Sequence, residues 1–305
     1  MRIVSLLPSA TEIVCCLGLE EELVGVTHEC DYPPSVRAKP KVTRTHIAAD
    51  APSREIDSLV RGRLAGRQAL YSLDFETLRR LEPDLLITQT LCDVCAVAES
   101  EVREGVAQLP GSPQVVNLEP TRLDEVLDSI LTVGEATANV KTAQQVVRVS
   151  KERIANVRSA VPRDTPPKKV VVLEWLDPLF SCGHWTPELV EIAGGVEPLV
   201  EPGMRSREIS AGDVAVADPD VILIACCGFG VARAMRDVPL LMGQAAMAGL
   251  RCVREGRVYV TDGSAYFSRP GPRLVDSLEI LANAMDPQRH SLPADAPAAS
   301  RVDLC

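Results

Sequence analysis

Cysteine and histidine are the residues of this chain best equipped for chemistry, and they are gathered rather than scattered. His28-Glu29-Cys30, Cys92-Asp93-Val94-Cys95, Cys182-Gly183-His184 and the adjacent pair Cys226-Cys227 hold six of the ten cysteines and two of the four histidines. Thiolate and imidazole ligands together suit zinc, iron or cobalt. Cys92-x-x-Cys95 has the spacing of half a zinc site or of a dithiol redox pair, and its other half would come from His28, Cys30, Cys182, His184, Cys226 or Cys227. No two of these stretches are spaced as in a zinc finger. Three readings stay open: contact with a metal, thiol redox chemistry, and structural thiols. Cys15 and Cys16 differ, since they fall in the apolar pattern of the first helix and read as small core hydrophobes.

Other catalytic templates are missing from the sequence: no Gly-x-Gly-x-x-Gly, no phosphate-binding loop, no Gly-x-Ser-x-Gly and no His-Glu-x-x-His. A cysteine nucleophile would have to pair Cys30 with His28 or Cys182 with His184, two residues apart, where side chains tend to diverge. No catalytic residue is assigned.

What must position these residues is an alternation of strands and helices. Apolar runs predict strands at 2–7, 23–27, 82–88, 114–118, 169–173, 221–225 and 257–261. Helical periodicity falls at 11–17, with Ser9 as N-cap and Gly18 as stop, and at 53–64, 74–81, 186–193 and 272–284. Between the halves, 121–161 is free of proline and carries two helices broken near Gly134 and Asn139. The second half echoes the first: Ala217-Asp218-Pro219-Asp220 precedes one buried strand as Leu81-Glu82-Pro83-Asp84 precedes another. The fold class expected is α/β, with two Rossmann-like lobes joined by a long helical connector and a ligand cleft between them. The boundaries are 1–120 for the first lobe, 121–167 for the connector, 168–285 for the second lobe and 286–305 for a flexible tail rich in Pro, Ala and Ser.

Open α/β sheets bind ligands beyond the carboxyl ends of their strands, where loops diverge and helix N-termini point inward. The Cys/His stretches follow such strands, and so do most aromatics of a chain that is only 3% aromatic. Tyr32, Trp175, Phe180, Trp185, Phe229, Tyr266 and Phe267 all lie there. Flat rings with few rotatable bonds suit a broad macrocycle or chelate. The candidate ligand-binding residues are Tyr32, Glu174, Trp175, Trp185, Phe229, Tyr266, Phe267 and Arg269; Arg269 and Arg273 could meet amide or phosphate oxygens, though Arg273, at a helix start, reads equally as a surface residue.

At 305 residues and 46% hydrophobic the chain can fill two cores. Its net charge of −10, with no basic run, argues against nucleic acid and anionic membranes. No stretch approaches the roughly 20 apolar residues of a membrane helix. The segment after Met1 reads as a strand rather than a signal peptide, so a cytoplasmic location is expected for the sequence as it stands, and a periplasmic one if a signal has been removed.

With these residues in view the chain resembles the class III periplasmic binding proteins for vitamin B12 and ferric chelates. The resemblance rests on Arg2-Ile-Val-Ser-Leu-Leu-Pro-Ser-Ala-Thr-Glu-Ile, Leu17-Gly-Leu before Leu23-Val-Gly-Val, Glu82-Pro-Asp-Leu-Leu-Ile, Ala217-Asp-Pro-Asp-Val-Ile and Arg269-Pro-Gly-Pro-Arg-Leu-Val-Asp. It implies two lobes on a rigid helical backbone, an aromatic cleft, cobalamin or a related corrinoid as ligand, an ABC permease as partner if exported, and no enzymatic activity. The rival reading is a Cys/His-rich zinc or iron protein, or a thiol enzyme, on the same fold.

Overall fold

The computed structural model describes residues 1–48, 50–66, 70–89, 105–106, 109–162, 164–293 and 295–302. The chain divides into two compact units, Met1–Pro120 with Asp124–Arg148, and Thr121–Leu123 with Val149–Cys305.

In the first unit β1 (Ile3–Ser5), β2 (Leu23–Gly25), β5 (Leu85–Thr88) and β6 (Gln114–Asn117) form a parallel sheet in the order β2-β1-β5-β6. Leu85, Leu86 and Ile87 are at most 1% exposed, so β5 is covered on both faces and reads as an unbroken apolar run. The strands β3 (Thr43–Thr45) and β4 (Tyr71–Leu73) pair as a separate antiparallel ribbon that the sequence pattern did not reveal. Helix α1 (Pro8–Cys16) starts one residue before the expected Ser9 cap. Proline fits the first helical position because its missing N–H would go unpaired there; Leu7 occupies the N-cap and Ser9 is buried.

After α2 (Ser53–Ala65), helix α3 (Phe75–Leu81) is capped by Asp74, whose side chain accepts from the Thr77 N–H at 3.0 Å. Helices α4 (Leu123–Ala136) and α5 (Val140–Ala160) follow, and the division between the units falls inside α5. Gly134 lies within α4 rather than breaking it: a Cβ there would sit 2.4 Å from the Ala143 Cβ, so glycine permits the two helices to approach. The break comes at Ala138, with φ of 57°.

In the second unit β7 (Lys168–Leu176), β10 (Val221–Ile224) and β11 (Val258–Val260) run parallel, flanked by antiparallel β8 (Leu179–Ser181) and β12 (Ser300–Arg301), in the order β12-β11-β10-β7-β8. The short β9 (Gly195–Val196) joins the start of β7. Helices α6 (Thr186–Ile192) and α7 (Ala211–Ala217), four short turns α8 (Val231–Ala234), α9 (Val238–Met242), α10 (Ala245–Ala248) and α11 (Arg251–Arg254), a π-turn at Gly263–Phe267 and α12 (Leu274–Met285) complete the unit. The segment expected to be a loose tail instead returns to the sheet: β12 pairs with β11 and Val302 is 3% exposed. An edge strand of two residues suffices there because Val302 donates its N–H to Val258 O at 2.9 Å.

The sequence echo between the halves is a shared device. Both helices before the echo end on a left-handed residue, Glu82 at φ 41° and Asp218 at φ 46°, and the following proline cannot continue the helix. Asp84 then accepts the Arg2 N–H at 2.7 Å, and Asp220 accepts the Lys169 N–H at 2.9 Å. The basic side chains answer in kind: Arg2 Nε donates to Leu81 O at 2.7 Å and Lys169 Nζ to Ala217 O at 2.9 Å, each satisfying a carbonyl at a helix end.

Candidate functional site

Because β7, β10 and β11 are parallel, their carboxyl ends share one edge of the second unit's sheet; Trp175 lies near the end of β7 itself, and the loops after β10 and β11 carry Phe229 and Tyr266. The Trp175 and Phe229 rings lie 4.7 Å apart at 34°. Trp175 is fixed by donation from Nε1 to Asp177 O at 3.0 Å. The Phe229 face carries the Arg233 guanidinium at 4.1 Å, and Arg233 Nη1 pairs with Asp237 Oδ2 at 3.0 Å. Neither Arg233 nor Asp237 was singled out from the sequence, although the i,i+4 pairing of opposite charge after Phe229 was visible there.

Glu174 works as a brace between loops. Its carboxylate accepts the Gly183 N–H at 3.1 Å and its carbonyl accepts the Cys227 N–H at 2.9 Å. Gly263 opens the π-turn against the end of β10, where a Cβ would lie 2.2 Å from the Cys226 carbonyl oxygen. Asp262 caps that turn by accepting the Ala265 N–H at 2.7 Å. Such π-turns recur at functional sites. Tyr266, half-buried, has the Arg273 guanidinium 5.2 Å from its ring centroid. Arg269 is buried.

The cysteine stretch of this unit lies differently from the expectation. Strand β7 does not stop at Leu173 but runs to Leu176, and β8 folds back along it, so Cys182 donates its N–H to Val172 O in the middle of the strand. Cys182 is buried, its thiol 3.5 Å from Glu197 Oε2, and burial pushes the thiol well up. Trp185 and Phe267 are also buried and tied together, indole N–H to Phe267 O at 2.9 Å. His184 has φ of 52°, stacks on Trp185 at 5.5 Å and buries its Nε2, and burial lowers its pKa. Cys226 is buried, with its thiol pushed up chiefly by burial, whereas Cys227 beside it is half-buried.

In the first unit His28 leaves the end of β2 and rests on the β3–β4 ribbon, Nδ1 2.8 Å from Thr43 Oγ1 and its ring 5.4 Å from Tyr71. Burial lowers its pKa. Cys30 is buried between the Thr11 and Thr27 hydroxyls, at 3.0 and 3.2 Å, and burial raises its pKa. Tyr32 is exposed. Cys92 and Cys95 lie outside the described residues. Among the described residues no group of three or more His, Cys, Asp or Glu side chains could hold a metal ion. The described donor set therefore does not fit a resident zinc or iron.

Parallel central strands in each unit, and an aromatic pair braced at the carboxyl edge of the second, make an open α/β fold suited to holding a ligand at the strand ends. Residues 3–265 match the periplasmic binding protein family, and the chain belongs to it. It is 25% identical over 280 residues to the vitamin B12-binding protein of Vibrio cholerae, covering 91% of this chain and 86% of the relative. It is 24% identical over 295 residues to the cobalamin-binding protein of Halobacterium salinarum, covering 93% and 69%. Its fold matches a periplasmic heme binding protein from Pseudomonas aeruginosa with a TM-score of 0.73 at 21% identity, covering 100% of this chain and 99% of that one. It matches the periplasmic vitamin B12 binding protein of Vibrio cholerae with a TM-score of 0.66 at 23% identity, covering 93% and 96%. The family is named for the periplasm, and the cytoplasmic expectation finds no support in these similarities. Among the described residues no helix is long and apolar enough to cross a membrane.

Proposed function

We propose that this chain binds a flat metal chelate of the corrinoid and tetrapyrrole class, with cobalamin the first candidate, and carries it without transforming it. The observation that carries this reading is the Trp175–Phe229 pair, 4.7 Å apart and braced at the carboxyl ends of β7 and β10. Trp175, half-buried, is the ring of this pair open to a macrocycle, and Phe229, 6% exposed, backs it; a ring held in this way gives contact area at small entropic cost. Relatives named for vitamin B12 and cobalamin, and fold neighbours named for heme, support the ligand class. A relative from Bacillus subtilis is called an ABC transporter substrate-binding lipoprotein, which supports delivery to an ABC permease, outside the cytoplasm, as the role.

The test is a visible-absorption titration of the purified, metal-analysed chain with cyanocobalamin and, separately, with hemin. A saturable change at micromolar ligand, weakened about tenfold or more by Trp175→Ala or Phe229→Ala, is expected. Binding of neither ligand, together with a stoichiometric zinc or iron in the untreated protein, would overturn the reading in favour of a metal centre.

A further inference from the structure

The Arg233–Asp237 pair sits against the aromatic pair and is shielded with it: the two side chains are only 16% and 10% exposed. It joins two short turns, Arg233 within α8 and Asp237 at the start of α9, while Phe229 lies just before α8. A guanidinium this shielded requires a counter-charge, and Asp237 Oδ2 at 3.0 Å supplies it. The same guanidinium lies over the Phe229 ring, 4.1 Å from its centroid, within reach of cation–π attraction. Phe229 in turn meets Trp175. One ion pair thus orients the ring and cancels its own charge beside it. Other charged groups near this edge include Glu174, Asp177, Asp262 and Asp276 against Arg269 and Arg273, with Glu174 and Asp262 engaged by backbone N–H groups. Loss of Asp237 alone shifts the local charge by one unit towards positive.

Resting on the chelate-binding reading above, we propose that Arg233 positions Phe229 and that Asp237, by neutralising Arg233, sets the ligand-charge preference of the site towards a macrocycle fringed with uncharged amides over one fringed with carboxylates. Two substitutions must then act in opposite directions. Asp237→Asn leaves one positive charge beside Phe229 and favours a carboxylate-bearing ligand; Arg233→Ala leaves one negative charge and disfavours it. A unit charge at roughly 10 Å, in a medium of effective dielectric constant about 20, changes affinity on the order of tenfold.

The experiment measures the ratio of hemin affinity to cyanocobalamin affinity in the full chain. The ratio is expected to rise about tenfold in Asp237→Asn and to fall in Arg233→Ala, with Arg233→Lys and Asp237→Glu near the native ratio. Ratios that stay put in both charge-removing variants, or move together, overturn the proposal. Each variant carries its own sign, so one that folds, as judged by its thermal melt, decides even if the other does not. The positioning role has a ligand-free readout: the near-ultraviolet dichroism of Trp175, assigned through Trp175→Phe, should change in Arg233→Ala and be restored in Arg233→Lys. An unchanged band refutes positioning whatever binds. Failure of the native protein to take up either ligand would sink the chelate reading, while this dichroism arm still decides whether Arg233 orders the ring.

Discussion

Replacing Glu197 by Gln should remove much of the pH dependence of this protein's stability above pH 5. Glu197 is 8% exposed, Oε2 accepting the Val172 N–H at 2.9 Å and Oε1 the Leu199 N–H at 2.9 Å. Despite those donors, burial pushes its carboxyl from an ordinary 4.5 up to about 7. A raised pKa means that the folded state holds the proton more tightly than the unfolded chain. The associated stability is full below about 4.5, declines as the pH rises through about 7, and is absent above. At about 1.4 kcal/mol for each tenfold in proton affinity, the loss between pH 4.5 and pH 8 amounts to about 3 kcal/mol. The histidines His28, His184 and His290 have lowered pKa values and oppose this trend, since their contribution is lost as the pH falls. Glu197→Gln retains all three, so the comparison cancels them. Urea unfolding followed by tryptophan fluorescence at pH 5 and pH 8 measures the difference. The native protein should lose about 2.5 kcal/mol more than the variant between the two pH values. Equal changes, or a larger loss in the variant, would refute the reasoning.

Gly263→Ala should cost about 1–3 kcal/mol, because the added Cβ meets backbone atoms of Cys226 and Ala225 that cannot rotate away; a melting temperature within a degree of the native value would contradict this. Arg153 joins α5 to α12 through Asp276 and Glu279, with Nε 2.9 Å from Glu279 Oε1. Arg153→Ala strands two carboxylates and should cost about 2 kcal/mol in urea unfolding, below the figure for a fully buried pair because the arginine side chain is 32% exposed. Asp84→Ala removes the bond to the Arg2 N–H and should cost about 1 kcal/mol, with protection of the Arg2 amide in hydrogen exchange falling alongside.

Where local sequence dictates local structure, the fold was legible. A short apolar run bounded by Pro-Asp marks β5 and β10 because the proline ends a helix and the aspartate pairs with the neighbouring strand. Legibility failed where pairing is distant. Strand β7 outlasts its apolar run by three residues because β8 pairs back onto it around Asp177-Pro178, and no periodicity in 174–185 announces that return. The final strand was missed for the same reason: 286–302 has the composition of a loose tail, yet Ser300 and Arg301 find partners in Val260 and Tyr259.

The site divides along the same line. That aromatics would gather at strand ends followed from position alone, and Trp175 and Phe229 do meet there. The thiols looked equivalent in sequence, but their surroundings separate them. Burial disfavours thiolate at Cys30, Cys182 and Cys226 in the metal-free chain. Cys30 is held by Thr11 from a helix 19 residues earlier, and Cys182 faces Glu197 15 residues later, partners that spacing cannot disclose. Cys227 is half-buried and lies two residues from Phe229 in the sequence. A Cys227→Ser variant that binds its ligand with native affinity would show that this thiol takes no part, and a weakened one that it does.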